Sequence, residues 1–187
     1  MANTFIKAVV ACGLAIVPAG FLFAGTNEDK KVSSRGEQCM ISSYFSPFDN
    51  IEDVVSGLLE AAKTSVHCSL YGITNVRLTA DLIALKAKGV DVEIGLDKTQ
   101  AGGRNDKHSQ LAKAGIRVVI KKTGVLEHNK FCVVDGDIVI MGSWNWSNGA
   151  QRQDNSDVVI SHCKGQVARF EEAFQRIMKR DSAEETK

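Results

Sequence analysis

Twice in this chain a helix-like run ends on glycine and passes within two residues into β-branched sequence. Leu85-Lys86-Ala87-Lys88-Gly89-Val90 leads into Asp91-Val92-Glu93-Ile94, and Leu111-Ala112-Lys113-Ala114-Gly115-Ile116 leads into Arg117-Val118-Val119-Ile120. A glycine there supplies the left-handed residue that closes a helix, so each junction reads as helix end, cap, then strand. Strands separated by helices of this length pair in parallel, because a crossover of a dozen residues returns the chain to the same edge.

The remaining elements extend that plan. Residues 39–45 read as a first strand, ended by Ser46-Pro47. Asn50 caps a helix whose Ile51, Val54, Val55, Leu58, Leu59 and Ala62 follow the stepping of one buried face. Residues 65–71 form a strand, 76–88 a helix, and 90–96 a strand, followed by a polar, glycine-containing loop over 98–107. Residues 125–134 read as a strand, Asp135-Gly136 as a tight turn, and 138–141 as its hairpin partner. Val167, Phe170, Phe174 and Ile177 stripe a closing helix. The expected fold class is α/β: one domain with a mixed, largely parallel sheet and helices on both faces.

The ends differ from this body. Lys7 is the sole charge before Glu28, and residues 8–25 form an uncharged apolar run. Residues 1–25 read as a cleaved export signal or a retained membrane anchor, 26–37 as a polar linker, 38–180 as the folded domain and 181–187 as a solvated tail. Localisation is accordingly expected to be exported, with membrane anchoring as the alternative. Without the leader, 22 basic residues face 22 acidic ones. Any affinity for a polyanion must come from a local patch. Cysteines 39, 68, 132 and 163 would remain, compatible with bridges in an oxidising compartment or with buried free thiols.

The chemistry concentrates in His128-Asn129-Lys130, Asp135 and Gly142-Ser143-Trp144-Asn145, spaced H-x-K-x4-D-x6-G-S-x-N. In an extended strand His128, Lys130 and Cys132 share one face, and Ser143 and Asn145 share a face on the neighbouring strand. An imidazole, an ammonium, a hydroxyl and a carboxamide around one tetrahedral anion can hold a phosphodiester and attack its phosphorus. Fixed donors stabilise the charge that Mg2+ stabilises elsewhere. A neutral imidazole is a nucleophile and a protonated one an acid, but one imidazole cannot serve both sides of the phosphorus in a single in-line step.

This pattern resembles the phospholipase D superfamily, in the branch whose members carry the motif once. That branch includes exported bacterial endonucleases and a mitochondrial cardiolipin hydrolase, and the resemblance runs from about Cys39 to Arg180. It implies a homodimer in which two motifs complete one active site. One His128 would form a phosphohistidine, and the partner's His128 would protonate the leaving group and then activate water. Lys130, Ser143 and Asn145 would bind phosphate oxygens. Asp135 falls in the catalytic motif, although a hairpin turn suits a supporting role. No metal or other cofactor is implied. The family's usual histidine-orienting Glu, eleven residues after the Asn position, falls on Ser156 here. Asp154, on the same strand face as Ser156, is the expected substitute, with Asp157 pointing the other way. Nucleic acid is the expected substrate, membrane phospholipid the alternative, and a non-catalytic nucleic-acid-binding module the third reading. Trp144 and Trp146 can stack bases or pack in the core, and Lys98, Arg104, Lys107, Lys121 and Lys122 form a basic rim or a plain solvated surface. His67, His108 and His162 read as structural.

Overall fold

A computed structural model describes residues 39–121 and 124–182. The leader, the linker, Lys122 and the end of the tail lie outside the described residues. Seven strands form one sheet in the order β1-β7-β6-β5-β2-β3-β4. They are β1 Met40–Ser46, β2 Ser65–Leu70, β3 Asp91–Asp97, β4 Arg117–Lys121, β5 Lys130–Val134, β6 Ile138–Gly142 and β7 Asn155–Ser161. The helices are α1 Ile51–Ala61, α2 Val76–Ala87, α3 His108–Lys113 and α4 Lys164–Ser182, with a 3-10 turn at Ala150–Arg152.

The α/β class, the mixed sheet and the helices on both faces hold. The balance within the sheet does not: β2-β3 and β3-β4 are parallel, whereas β1-β7, β7-β6, β6-β5 and β5-β2 are antiparallel. The two glycine-capped crossovers each yield one parallel pair. The Asp135-Gly136 turn, with positive φ at both residues, starts an antiparallel half that the crossovers do not reach.

Two apolar layers flank the sheet. On one face Ile51, Val55 and Leu59 of α1, Leu78, Leu82 and Leu85 of α2 and Leu111 of α3 cover Val66, Cys68, Leu70, Val92, Ile94 and Cys132. On the other, Val167, Phe174 and Met178 of α4 pack on Phe131, Val133 and Val139. Asn50 caps α1 by accepting from the Asp53 amide at 3.3 Å, as its position implies.

The cysteine alternatives resolve into two bridges. Cys68 and Cys132 are direct cross-strand neighbours in β2 and β5, with Cα atoms 4.1 Å apart. Cys39 and Cys163 tie the start of β1 to the link between β7 and α4 across 124 residues of sequence.

Strand direction places the site. β2, β3 and β4 all finish at one end of the sheet. There Leu70 pairs with Lys130, the first residue of β5, and Gly142, the last of β6, pairs with Asp157 near the start of β7. Loops beyond the carboxyl ends of parallel strands are where α/β sheets build ligand sites.

Candidate active site

The segment carrying His128 is held by side chains rather than by the sheet. Residues 125–129 were expected to continue the strand, but β5 begins only at Lys130. The Glu127 amide donates to the Asp97 carboxylate at 2.8 Å, and the Asn129 amide donates to the Glu127 carboxylate at 3.3 Å. Those amides are therefore unavailable to a ladder. Glu127 is 2% exposed and also accepts from Ser69 Oγ at 3.0 Å and Asn129 Nδ2 at 2.6 Å. Asp97 is held below the usual carboxylate range: burial pulls it upward, but the Thr99 hydroxyl and amide, the Glu127 amide and the Lys121 charge prevail. This buried polar brace fixes the loop from which His128 projects into solvent.

Lys130 is 8% exposed, and its ammonium lies 3.3 Å from His128 Nδ1 while donating to the His128 carbonyl at 2.8 Å. Burial pushes the Lys130 pKa below its ordinary value, against the opposing charges of Glu127 and Asp157. The pairing of Phe131 with Met141 brings Lys130 opposite Gly142, and Gly142 in turn pairs with Asp157. Residues directly opposite in a sheet share a face, so the Asp157 carboxylate lies over Gly142 toward Lys130. A Cβ at position 142 would overlap Asp157 Oδ1 and the Ser156 carbonyl, and glycine makes the room.

Asp157 faces the Lys130 side of the sheet, contrary to the expectation that it points away. It is 3% exposed, and Oδ1 accepts from the Trp144 amide at 3.0 Å. Burial pushes its carboxyl up to about 6, against the Trp144 and Ser143 amides and the Lys130 charge. Asp154, the expected orienting carboxylate, is exposed just before β7. Ser156 is exposed too; its amide donates to Ser143 Oγ at 3.0 Å and its carbonyl accepts from the Ser143 amide at 2.9 Å. Ser156 lies on the strand face opposite to Asp157, because a shift of one residue exchanges the faces of a strand. The available signal was a carboxylate opposite a glycine at the head of an apolar strand.

The other motif residues divide. Asn145 follows Trp144, and its Oδ1 is buried without a hydrogen-bond partner. The chain leaves β6 at Gly142, so Ser143 and Asn145 project from a coil rather than a strand face. Asp135 is not brought to this group. It sits beyond the opposite end of β5, about 16 Å away at strand rise. Its carboxylate accepts from the Lys63, Thr64 and Ser65 amides and the Thr64 hydroxyl. Burial alone would raise its pKa, but those bonds outweigh it and hold Asp135 below the usual range.

Trp144 and Trp146 are 0% and 2% exposed in the core, so neither offers a face for stacking. Lys121 is likewise buried, 4.0 Å from Glu127, and does not belong to a basic rim. Arg104 is exposed, while His67 stacks on Phe174 and faces Glu171 at 2.9 Å. Among the described residues no cluster of His, Cys, Asp and Glu is arranged to hold a metal ion.

The grouping of His128, Lys130 and a buried acid at three adjacent strand ends coincides with a family match. A family model described as "Cardiolipin synthase, PLD-like domain" matches residues 55–178. The chain belongs to the phospholipase D superfamily. Nuc, a phospholipase D family member from Salmonella typhimurium, superposes with a TM-score of 0.71 at 26% identity, covering 77% of this chain and 96% of that one. A protein named phospholipase D from Rickettsia bellii is 30% identical over 120 residues, covering 64% of this chain and 60% of its own. A protein named mitochondrial cardiolipin hydrolase from Chlamydomonas reinhardtii is 29% identical over 119 residues, covering 64% and 53%. The chain thus spans little more than half the length of these curated relatives.

Proposed function

We propose that this phospholipase D-like chain is a phosphodiesterase working through a phosphohistidine, and that nucleic acid supplies the phosphodiester. The observation that carries the phosphodiesterase reading is the His128-Lys130 pair at 3.3 Å with buried Asp157 behind it. Lys130 would bind a phosphate oxygen, with the Ser143 hydroxyl and the Asn145 Nδ2 amide as further donors. As Lys130 turns to the phosphate, His128 Nδ1 is released. Asp157 then orients the imidazole or takes its Nδ1 proton, while Nε2 attacks phosphorus. The P–O bond to the leaving group breaks, and the departing oxygen takes a proton from the second imidazole. That imidazole then deprotonates water, which attacks phosphorus and breaks the P–N bond. The second imidazole is assigned to His128 of a second copy, because this chain brings a single such motif. Lys130, Ser143 and Asn145 would together supply the charge stabilisation that a metal ion supplies elsewhere.

Nucleic acid is favoured by the openness of the site. His128 is exposed, and the 98–107 loop, which reaches it through Gln100 and Tyr71, carries exposed Arg104. Phospholipid is the second reading. Phe45, Phe48, Val76, Val125 and Leu126 are exposed by 53%, 90%, 59%, 78% and 49%, and all lie at the site end of the sheet. The relatives named phospholipase D and cardiolipin hydrolase point the same way. The two paired cystines favour an exported, oxidising location.

The test is incubation in EDTA with single- and double-stranded DNA, RNA, and vesicles of phosphatidylcholine and cardiolipin. Cleavage of nucleic acid is expected. Turnover of lipid alone would establish the second reading, and no turnover would leave a binding module.

A further inference from the structure

Tyr71, directly after β2, makes four contacts that converge on the motif. Its amide donates to the Asn129 carbonyl at 2.8 Å, anchoring it to the residue between His128 and Lys130. Its ring centroid is 4.8 Å from that of His128 at a tilt of 56°, and the Lys130 ammonium lies 5.2 Å from the same centroid. Its hydroxyl accepts from Gln100 Nε2 at 2.8 Å. Gly72 lets this tether come close, since a Cβ there would stand 2.9 Å from Gln100 Cβ.

Resting on the phosphodiesterase reading, we propose that Tyr71, tethered by Gln100, is a positioning residue for both His128 and Lys130. The chemistry explains why an aromatic ring suits this place. A carboxylate beside Lys130 would occupy its N–H groups and compete with a phosphate oxygen. A ring face attracts the ammonium through its quadrupole without itself taking its N–H groups, which in the resting site face the His128 carbonyl and Nδ1. The same ring bounds the swing of an exposed imidazole that must meet phosphorus in line, where a displacement of about 1 Å costs about a hundredfold in rate. The Gln100 bond fixes the far end of the ring, so the β3–α3 loop sets its angle.

Two readouts test this, one of them independent of turnover. Histidine side-chain NMR, with the His128 signal assigned through His128→Gln, reports the ring current of Tyr71. Tyr71→Leu should abolish that shift and lower kcat about tenfold to a hundredfold, with KM within about twofold. Tyr71→Phe should retain the shift and stay within about threefold of wild-type kcat. Gln100→Ala should match Tyr71→Phe, and the double variant should add nothing to either. An unmoved His128 signal in Tyr71→Leu, or Tyr71→Phe as damaging as Tyr71→Leu, would overturn the proposal. Additive losses would overturn the tether. Should Tyr71→Leu fail to fold, the non-additivity of the other two still decides. A wild type that shows the ring-current shift but cleaves nothing would refute the phosphodiesterase reading and leave the positioning contact standing.

Discussion

Asp157 and Asp135 are two carboxylates held at opposite extremes, and each has a distinct pH consequence. Burial raises Asp157 from 3.8 to about 6, so its ionised form is less stable in the folded state than in the unfolded one. The folded pKa lies above the unfolded value, so the burden is absent below about pH 4 and complete above about pH 6. At about 1.4 kcal/mol per unit it amounts to no more than about 3 kcal/mol. Asp157→Asn removes it. Urea unfolding at pH 4 and pH 7.5 should show the variant gaining on wild type as pH rises, while kcat falls at least about tenfold. Asp135 behaves oppositely: its depressed pKa contributes stability above 3.8 that is lost as pH falls through the lower folded value. Asp135→Asn tolerates the positive φ of 53° but gives up charge-assisted bonds. It should cost about 1–3 kcal/mol at pH 7, less below pH 4, and leave kcat unchanged in a steady-state assay.

At the scale of elements, the register of three strands assembles the site. His128, Lys130, Ser143 and Asn145 stand out in the sequence as candidates because a fixed spacing of scarce residue types is itself a chemical signal. Asp157, Glu127 and Tyr71 do not, because their placement arises from pairing among β2, β5, β6 and β7 and from the brace beneath residues 125–129. Those contacts join residues far apart in sequence and leave no local period. The glycine-capped junctions did reveal the two parallel pairs, since a helix cap is a local event. Gly142 shows the price of register: Gly142→Ala should cost about 1–3 kcal/mol and most activity, as Asp157 is displaced. Thermal unfolding beside the cleavage assay would check both. The Cys39–Cys163 bridge lies at the end of the sheet remote from His128. Cys163→Ser should therefore lower stability by about 3–5 kcal/mol in urea unfolding while kcat of the folded fraction is kept.

At the scale of the molecule, one chain presents one motif imidazole to the two-imidazole reaction proposed above. A shared site makes activity depend on association, so specific activity should fall on dilution in step with the dimer fraction seen by sedimentation. Equal specific activity for monomer and dimer would exclude sharing. The exposed apolar side chains at the site end could meet either a second copy or a lipid surface, and the substrate panel separates these. The most direct measurement of the central claim is to quench wild-type protein in alkali during turnover of a short DNA substrate in EDTA and map phosphoryl adducts by mass spectrometry. A base-stable, acid-labile phosphoryl adduct on the His128 peptide, still carrying the substrate's remaining ester and absent from His128→Ala, is the expected result. Continued cleavage by His128→Ala at the wild-type rate, with no phosphate on His128 in the wild type, would contradict it.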